Sequence, residues 1–184
     1  MNNSKTYHRK SIRLKEYDYA NANWYYVTIC TLNKEHIFGE VLNNKVVLSN
    51  SGKIVKEEWL RTKEIRKNID LDYYVIMPNH FHGIIIMTYN MNENVSEENI
   101  KRRDTMHRVP TNRTFGTAIP NTLSTIIGAF KASVTKRIHR LSNNNIHIWQ
   151  RNYYEHIIRN EDDLYRSRQY IKQNPLKWQL EEYY

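Results

Sequence analysis

The chain has 184 residues, 40% hydrophobic and 26% charged, which suits one globular domain and excludes two full domains or a disordered polymer. Its one cysteine, Cys30, excludes an internal disulfide; its longest strongly apolar run, Gly83 to Met87, is far below the roughly 20 residues of a membrane span; and Met1 to Ala20 shows no leader pattern. The net charge of +9 is concentrated, with nine Lys/Arg and one acid in residues 101–140 and five Lys/Arg and no acid in residues 1–15, which suggests a polyanion partner, nucleic acid before membrane phosphates.

Residues 1–20 read as a basic arm, followed by a single domain over 21–184. Trp24 to Thr31 is β-branched and aromatic and predicts a strand. Ile37 to Val41 and Lys45 to Leu48 flank the turn-prone pair Asn43-Asn44 and predict a small hairpin. Ser49 to Lys67 carries Ile54, Val55, Trp59, Leu60 and Ile65 at helical spacing behind a capping Ser49, Asn50 or Ser51. Leu71 to Met77 and His80 to Thr88 predict two antiparallel strands around a tight Pro78-Asn79 turn. Tyr89 to Pro120 has few large apolar residues and reads as a long loop insertion. Asn121 to Leu141 predicts a helix with an apolar stripe and a basic face. Ile146 to Ile158 predicts a strand pair or an extended edge strand. Glu161 to Asn174 predicts a final helix, acidic at its start and ended by Pro175. The order is α+β, close to a ferredoxin-like βαββαβ core with an extra hairpin.

Three groups of residues can carry chemistry. His80-Phe81-His82 opens a strand, so both imidazoles project from one face, about 6–7 Å apart at Cα, and can converge on a divalent metal. Two ordinary strand histidines are the alternative. Tyr170 and Asn174 are four apart on one helix face; Tyr can be a nucleophile and Asn an oxygen ligand, or the pair can pack and cap. Trp149 to His156 mixes aromatic, cationic and amide groups, as a polynucleotide groove does and a polar edge strand also does. His156 has no neighbour at metal-ligand spacing and stays outside the metal set.

Tyr73 to His82 (YYVIMPNHFH), Trp149 to Arg159 and Tyr170 to Pro175 (YIKQNP) together resemble the single-tyrosine HUH transposases, named for their His, hydrophobic, His motif. Within them the branch most similar is the REP-associated tyrosine transposases. The resemblance runs from about Trp24 to Trp178. It implies a ferredoxin-like core, His80, His82 and Asn174 as ligands of one Mg²⁺ or Mn²⁺ ion, and Tyr170 as nucleophile. It implies cleavage of single-stranded DNA near hairpins through a 5′-phosphotyrosine link that leaves a free 3′-hydroxyl for later rejoining. Lys131, Lys136, Arg137, Arg140, Arg151, Arg102 and Arg103 would then hold the DNA, in a cytoplasmic, nucleoid-associated protein. The insertion at about 89–120 is longer than in compact relatives, so a monomer using its own Tyr170 is expected. The rival readings are a non-catalytic DNA-binding module and a metal-dependent RNA-processing enzyme on the same core. A third is a regulatory protein with inert histidines.

Overall fold

Alternation along two strands decides the architecture. In β1 (Asn23–Cys30), Tyr25, Val27 and Ile29 are fully buried on one face, and Trp24, Tyr26, Thr28 and Cys30 take the other. The same alternation in β5 (His80–Met87) sends Phe81, Gly83, Ile85 and Met87 to the first face and His80, His82 and Ile84 to the second. The computed structural model describes residues 22–88, 121–143 and 145–181. The basic arm and the long loop expected at about 89–120 lie outside the described residues.

A four-stranded antiparallel sheet has the order β4 (Ile69–Met77), β5, β1, β6 (Tyr154–Ile158). Helix α1 (Asn50–Glu64) connects β1 to β4 by way of the hairpin β2 (Gly39–Leu42) and β3 (Lys45–Leu48). Helix α2 (Leu123–Ser142) lies between β5 and β6 in the chain, and α3 (Glu161–Glu181) follows β6. Strand order and connections are those of the expected ferredoxin-like βαββαβ core. The hairpin turns at Asn43 and Asn44, with φ of 50° and 61°, a left-handed pair that Asn tolerates.

Both α1 and α2 cover the first sheet face. Ser49 caps α1, its side chain accepting from the Gly52 N–H at 3.1 Å, and Ile54, Val55 and Trp59 face inward. From α2, Leu123, Ile126, Ile127, Phe130, Val134 and Ile138 join the same core. Trp59 sits at its centre, 4.6 Å from the Phe81 ring and 5.5 Å from the Phe130 ring. Gly83 makes room for it: a Cβ there would fall 2.7 Å from both Trp59 and Phe81 carbons. The opposite face holds a smaller cluster of Tyr26, Ile84, Ile158 and Ile171, with Trp24, Val75 and Leu164 against it. Ile171 and Leu164 come from α3, which covers this second face.

Two expectations are corrected. Only Tyr154–Ile158 forms the edge strand, paired with β1; upstream, Trp149 makes an isolated bridge to Thr31. That upstream stretch is tied to α2 instead: Lys131 donates to the Gln150 carbonyl at 2.6 Å, and the Trp149 indole donates to the Lys131 carbonyl at 3.2 Å. Helix α3 also does not stop at Asn174 but continues through Pro175 to Glu181. An interior Pro removes one backbone hydrogen bond and costs roughly 3 kcal/mol. Contacts on both sides of it offset that cost, with Asn174 buried before it and the Trp178 ring 5.7 Å from the His80 ring after it.

Candidate active site

The Pro78-Asn79 turn starts β5 at His80, and strand parity puts His80 and His82 side by side, ring centroids 4.5 Å apart. Phe81 between them is fully buried in the opposite core and fixes the strand's orientation. Each imidazole has an orienting partner. His80 donates its Nδ1–H to the Asn79 side-chain oxygen at 2.6 Å, which leaves the lone pair on Nε2. His82 Nδ1 lies 2.7 Å from the Tyr26 hydroxyl and 2.8 Å from the Thr28 hydroxyl, both on β1, where Thr28 is its register partner. His82 Nε2 is buried and has no hydrogen-bond partner among the described residues.

Helix α3 brings its two expected residues to this pair. Ile171 anchors the helix on the second cluster. One turn apart on the same face, the Tyr170 ring sits edge-on 5.2 Å from the His82 ring, and Asn174, 6% exposed, is beside His80. Tyr170 is 43% exposed, its ring also edge-on to Tyr26 at 6.2 Å and under the Lys177 ammonium at 5.3 Å. An ion pair holds the helix on the sheet: Arg168 donates to Asp72 of β4 at 2.7 Å and lies over the Trp24 and Tyr73 rings.

Burial holds both imidazoles uncharged at neutral pH. It lowers His80 to about 4, with the Asn174 side chain beside it acting in the opposite direction. It lowers His82 to about 3, with His80 beside it acting in the same direction. Two neutral imidazoles, His80 with its lone pair on Nε2 and His82 with a buried, unpartnered Nε2, beside the Asn174 amide form a donor set that fits a divalent cation. Unfolded histidines take up protons near pH 6.5, whereas these two stay neutral in the fold to about 4 and 3. The unfolded chain therefore binds more protons between those limits, and folding stability falls as pH drops below about 6.5. Urea titrations in chelator at pH 7.5 and pH 5 are expected to show this loss, and His82→Gln to reduce it.

Tyr170 and His82 line a cleft of about 540 Å³ together with Tyr154, His156, Arg166 and Ser167. Sequence reasoning left His156 aside and passed over Asp163, Tyr26, Thr28 and Asn79. The available signal was strand parity: His156 is the register partner of Tyr26 and so shares the face of His82. Cys30 is likewise the register partner of His80 on the neighbouring strand.

The expected DNA-holding residues divide. Arg137 is paired with buried Glu58 at 2.9 Å and with Glu57, and Lys131 supports the Gln150 carbonyl. Lys136 and Arg140 are exposed and, with His139, line a groove of about 690 Å³ along α2. Because α2 covers the first sheet face, this groove is across the sheet from His80 and His82. Arg151 is exposed beyond the Trp149 bridge; Arg102 and Arg103 lie outside the described residues. No described helix is long and apolar enough to cross a membrane.

No family model matches the chain. An uncharacterized protein of Haemophilus influenzae is 36% identical over 182 residues, spanning 99% of this chain and 96% of that protein. Among solved structures, a REP-associated tyrosine transposase bound to a REP hairpin superposes with a TM-score of 0.55 at 15% identity, covering 92% of this chain and 74% of that one. At that identity the likeness is one of fold.

Proposed function

This chain belongs to the same protein family as the Haemophilus influenzae protein, and we propose that it is a transposase-like enzyme that nicks and rejoins single-stranded DNA beside hairpins. In this reading Tyr170 is the nucleophile, and His80, His82 and Asn174 hold one Mg²⁺ or Mn²⁺ ion. The observation that supports it most is the convergence of a tyrosine, two neutral histidines and a buried asparagine on one face, with the tyrosine ring 5.2 Å from His82. The shared fold with a protein whose structure holds a REP hairpin supports the choice of DNA.

The chemistry is an in-line displacement at phosphorus. A phenol is largely protonated at neutral pH and is a poor nucleophile unaided, so position and proton removal matter. The Tyr170 oxygen bonds to the scissile phosphorus, the bond to the 3′-oxygen breaks, and a 3′-hydroxyl is released. Rejoining is the reverse attack by a 3′-hydroxyl. A bound divalent ion would supply charge stabilisation for the phosphate oxygens and the leaving oxygen. Asn79, Tyr26 and Thr28 fix the imidazole orientations. The Arg168–Asp72 pair keeps α3 on the sheet and Tyr170 near His82. In this reading Lys136 and Arg140, exposed on the α2 groove across the sheet from the histidines, would hold backbone phosphates beyond the cleavage site, which position DNA without choosing its sequence.

The test is a denaturing gel of the protein mixed with end-labelled hairpin DNA from its own genomic flanks and Mn²⁺. A metal-dependent, covalently shifted band supports the proposal; no band with any flanking strand, with DNA still bound, leaves a binding module instead. Metal binding has its own readout. Mn²⁺ at about 100 times its dissociation constant is expected to stabilise the wild type by roughly 2.7 kcal/mol. Thermal melts should show this rise, lose it in excess EDTA, and not show it in His80→Ala or His82→Ala.

A further inference from the structure

The cleft that Tyr170 lines also holds His156, part of a side-chain pair that the reading above does not use. His156 of β6 is the register partner of Tyr26 and shares the sheet face of His82. Its Nε2 lies 3.0 and 2.8 Å from the two carboxylate oxygens of Asp163, in the first turn of α3. Asp163 is only 17% exposed at its side chain and also accepts the Arg159 backbone N–H at 3.2 Å, so it is held from two sides. These contacts hold its carboxyl below the usual range even though burial works the other way. A carboxylate only accepts, so the ring hydrogen belongs on Nε2 and the lone pair on Nδ1. Nδ1 makes no hydrogen bond among the described residues, and the ring is 40% exposed.

The cleft needs such a group. If Tyr170 attacks phosphorus, its proton must leave. The other groups on the cleft walls are hydroxyls (Thr28, Ser167), phenols (Tyr26, Tyr154) and the guanidinium of Arg166. His82 is held by Tyr26 and Thr28 and is committed to the metal set. An imidazole whose second nitrogen is clamped by a half-buried carboxylate is a proton acceptor of fixed tautomer, and the carboxylate stabilises the cation that forms.

We infer that His156 is the proton carrier for Tyr170, with Asp163 as its positioning residue, an inference that rests on the proposed cleavage reaction. In cleavage the Tyr170 O–H bond breaks and its proton passes to Nδ1 of His156 while the tyrosyl O–P bond forms. The P–O3′ bond breaks, and the 3′-oxygen keeps its electron pair and takes a proton from water. In rejoining, the 3′-hydroxyl attacks and gives its proton to water, the tyrosyl O–P bond breaks, and the phenolate takes the proton back from His156.

Two measurements test it. In the metal-free wild-type protein at pH 8, long-range ¹H–¹⁵N spectra should show His156 protonated on Nε2 and bare on Nδ1; an Nδ1–H tautomer overturns the inference. In the adduct assay with hairpin DNA and Mn²⁺, His156→Gln should slow adduct formation by about 10²–10⁴-fold while DNA binding is kept. Asp163→Asn should slow it as well, with the thermal midpoint near wild type. Added imidazole should restore the rate of folded His156→Gly, which a mere pin between β6 and α3 would not allow. A wild-type rate in His156→Gln, or a folded His156→Gly that imidazole leaves inactive, overturns this inference and leaves the nuclease reading standing. Absence of any adduct with the wild type overturns both.

Discussion

Tyr170→Phe is expected to abolish the covalent protein–DNA band, a drop on the order of 10³-fold or more, because a nucleophile has no partial substitute. The substitution removes one oxygen only. The ring contacts to His82 at 5.2 Å, to Tyr26 at 6.2 Å and to Lys177 at 5.3 Å are made by carbon atoms that Phe keeps. The hydroxyl has no hydrogen bond among the described residues, and the side chain is 43% exposed. Stability should therefore stay within about 0.5 kcal/mol of wild type, and hairpin DNA should still bind. Loss of the band in a folded, DNA-binding protein isolates the phenol oxygen as the reacting atom. A band of undiminished intensity would move the nucleophile to Tyr154, which lines the same cleft and is 53% exposed.

Trp59→Ala should produce the largest loss of stability, about 3–5 kcal/mol, read by urea denaturation. Trp59 is fully buried between α1, the sheet and α2, against Phe81 and Phe130. The gap left behind would open onto Gly83, which has no side chain to fill it. Trp59→Phe should cost much less, since it keeps most of the ring volume. It also removes a buried indole N–H that has no partner among the described residues. A cost below about 1 kcal/mol for the alanine variant would mean that α1 and α2 do not share this core.

Elements with a strong local signal were legible in the sequence. Strand parity placed His80 and His82 on one face, and four-residue spacing placed Tyr170 and Asn174 on another. A cap at Ser49, Asn50 or Ser51, which the structure puts at Ser49, and a turn at Asn43-Asn44 are equally local properties. What sequence reading missed depends on contacts between distant segments. Pro175 reads as a stop because the local cost is visible and the Trp178 contacts with His80 and His36 are not. Trp149 reads as strand because its aromatic, β-prone neighbours resemble one, while its actual partner is the Lys131 carbonyl on α2. Arg137 and Lys136 look alike on a helical wheel, yet Glu57 and Glu58, some 80 positions earlier in the chain, engage the first of them. His156 needed the β1–β6 register, which no single-segment pattern contains.

The alternation in β5 makes that strand carry two messages in interleaved positions. Phe81, Gly83 and Ile85 face the larger core, and His80 and His82 line the proposed site on the other side. Changes at the even positions can therefore retune or silence the site while the protein remains folded, so inactive descendants that still fold are easily reached. A one-residue deletion between Pro78 and Gly83 does the reverse. It would turn an imidazole into the space under Trp59 and a phenyl ring toward Tyr170, so frame within this strand is under a stricter constraint than the identity of any one residue in it.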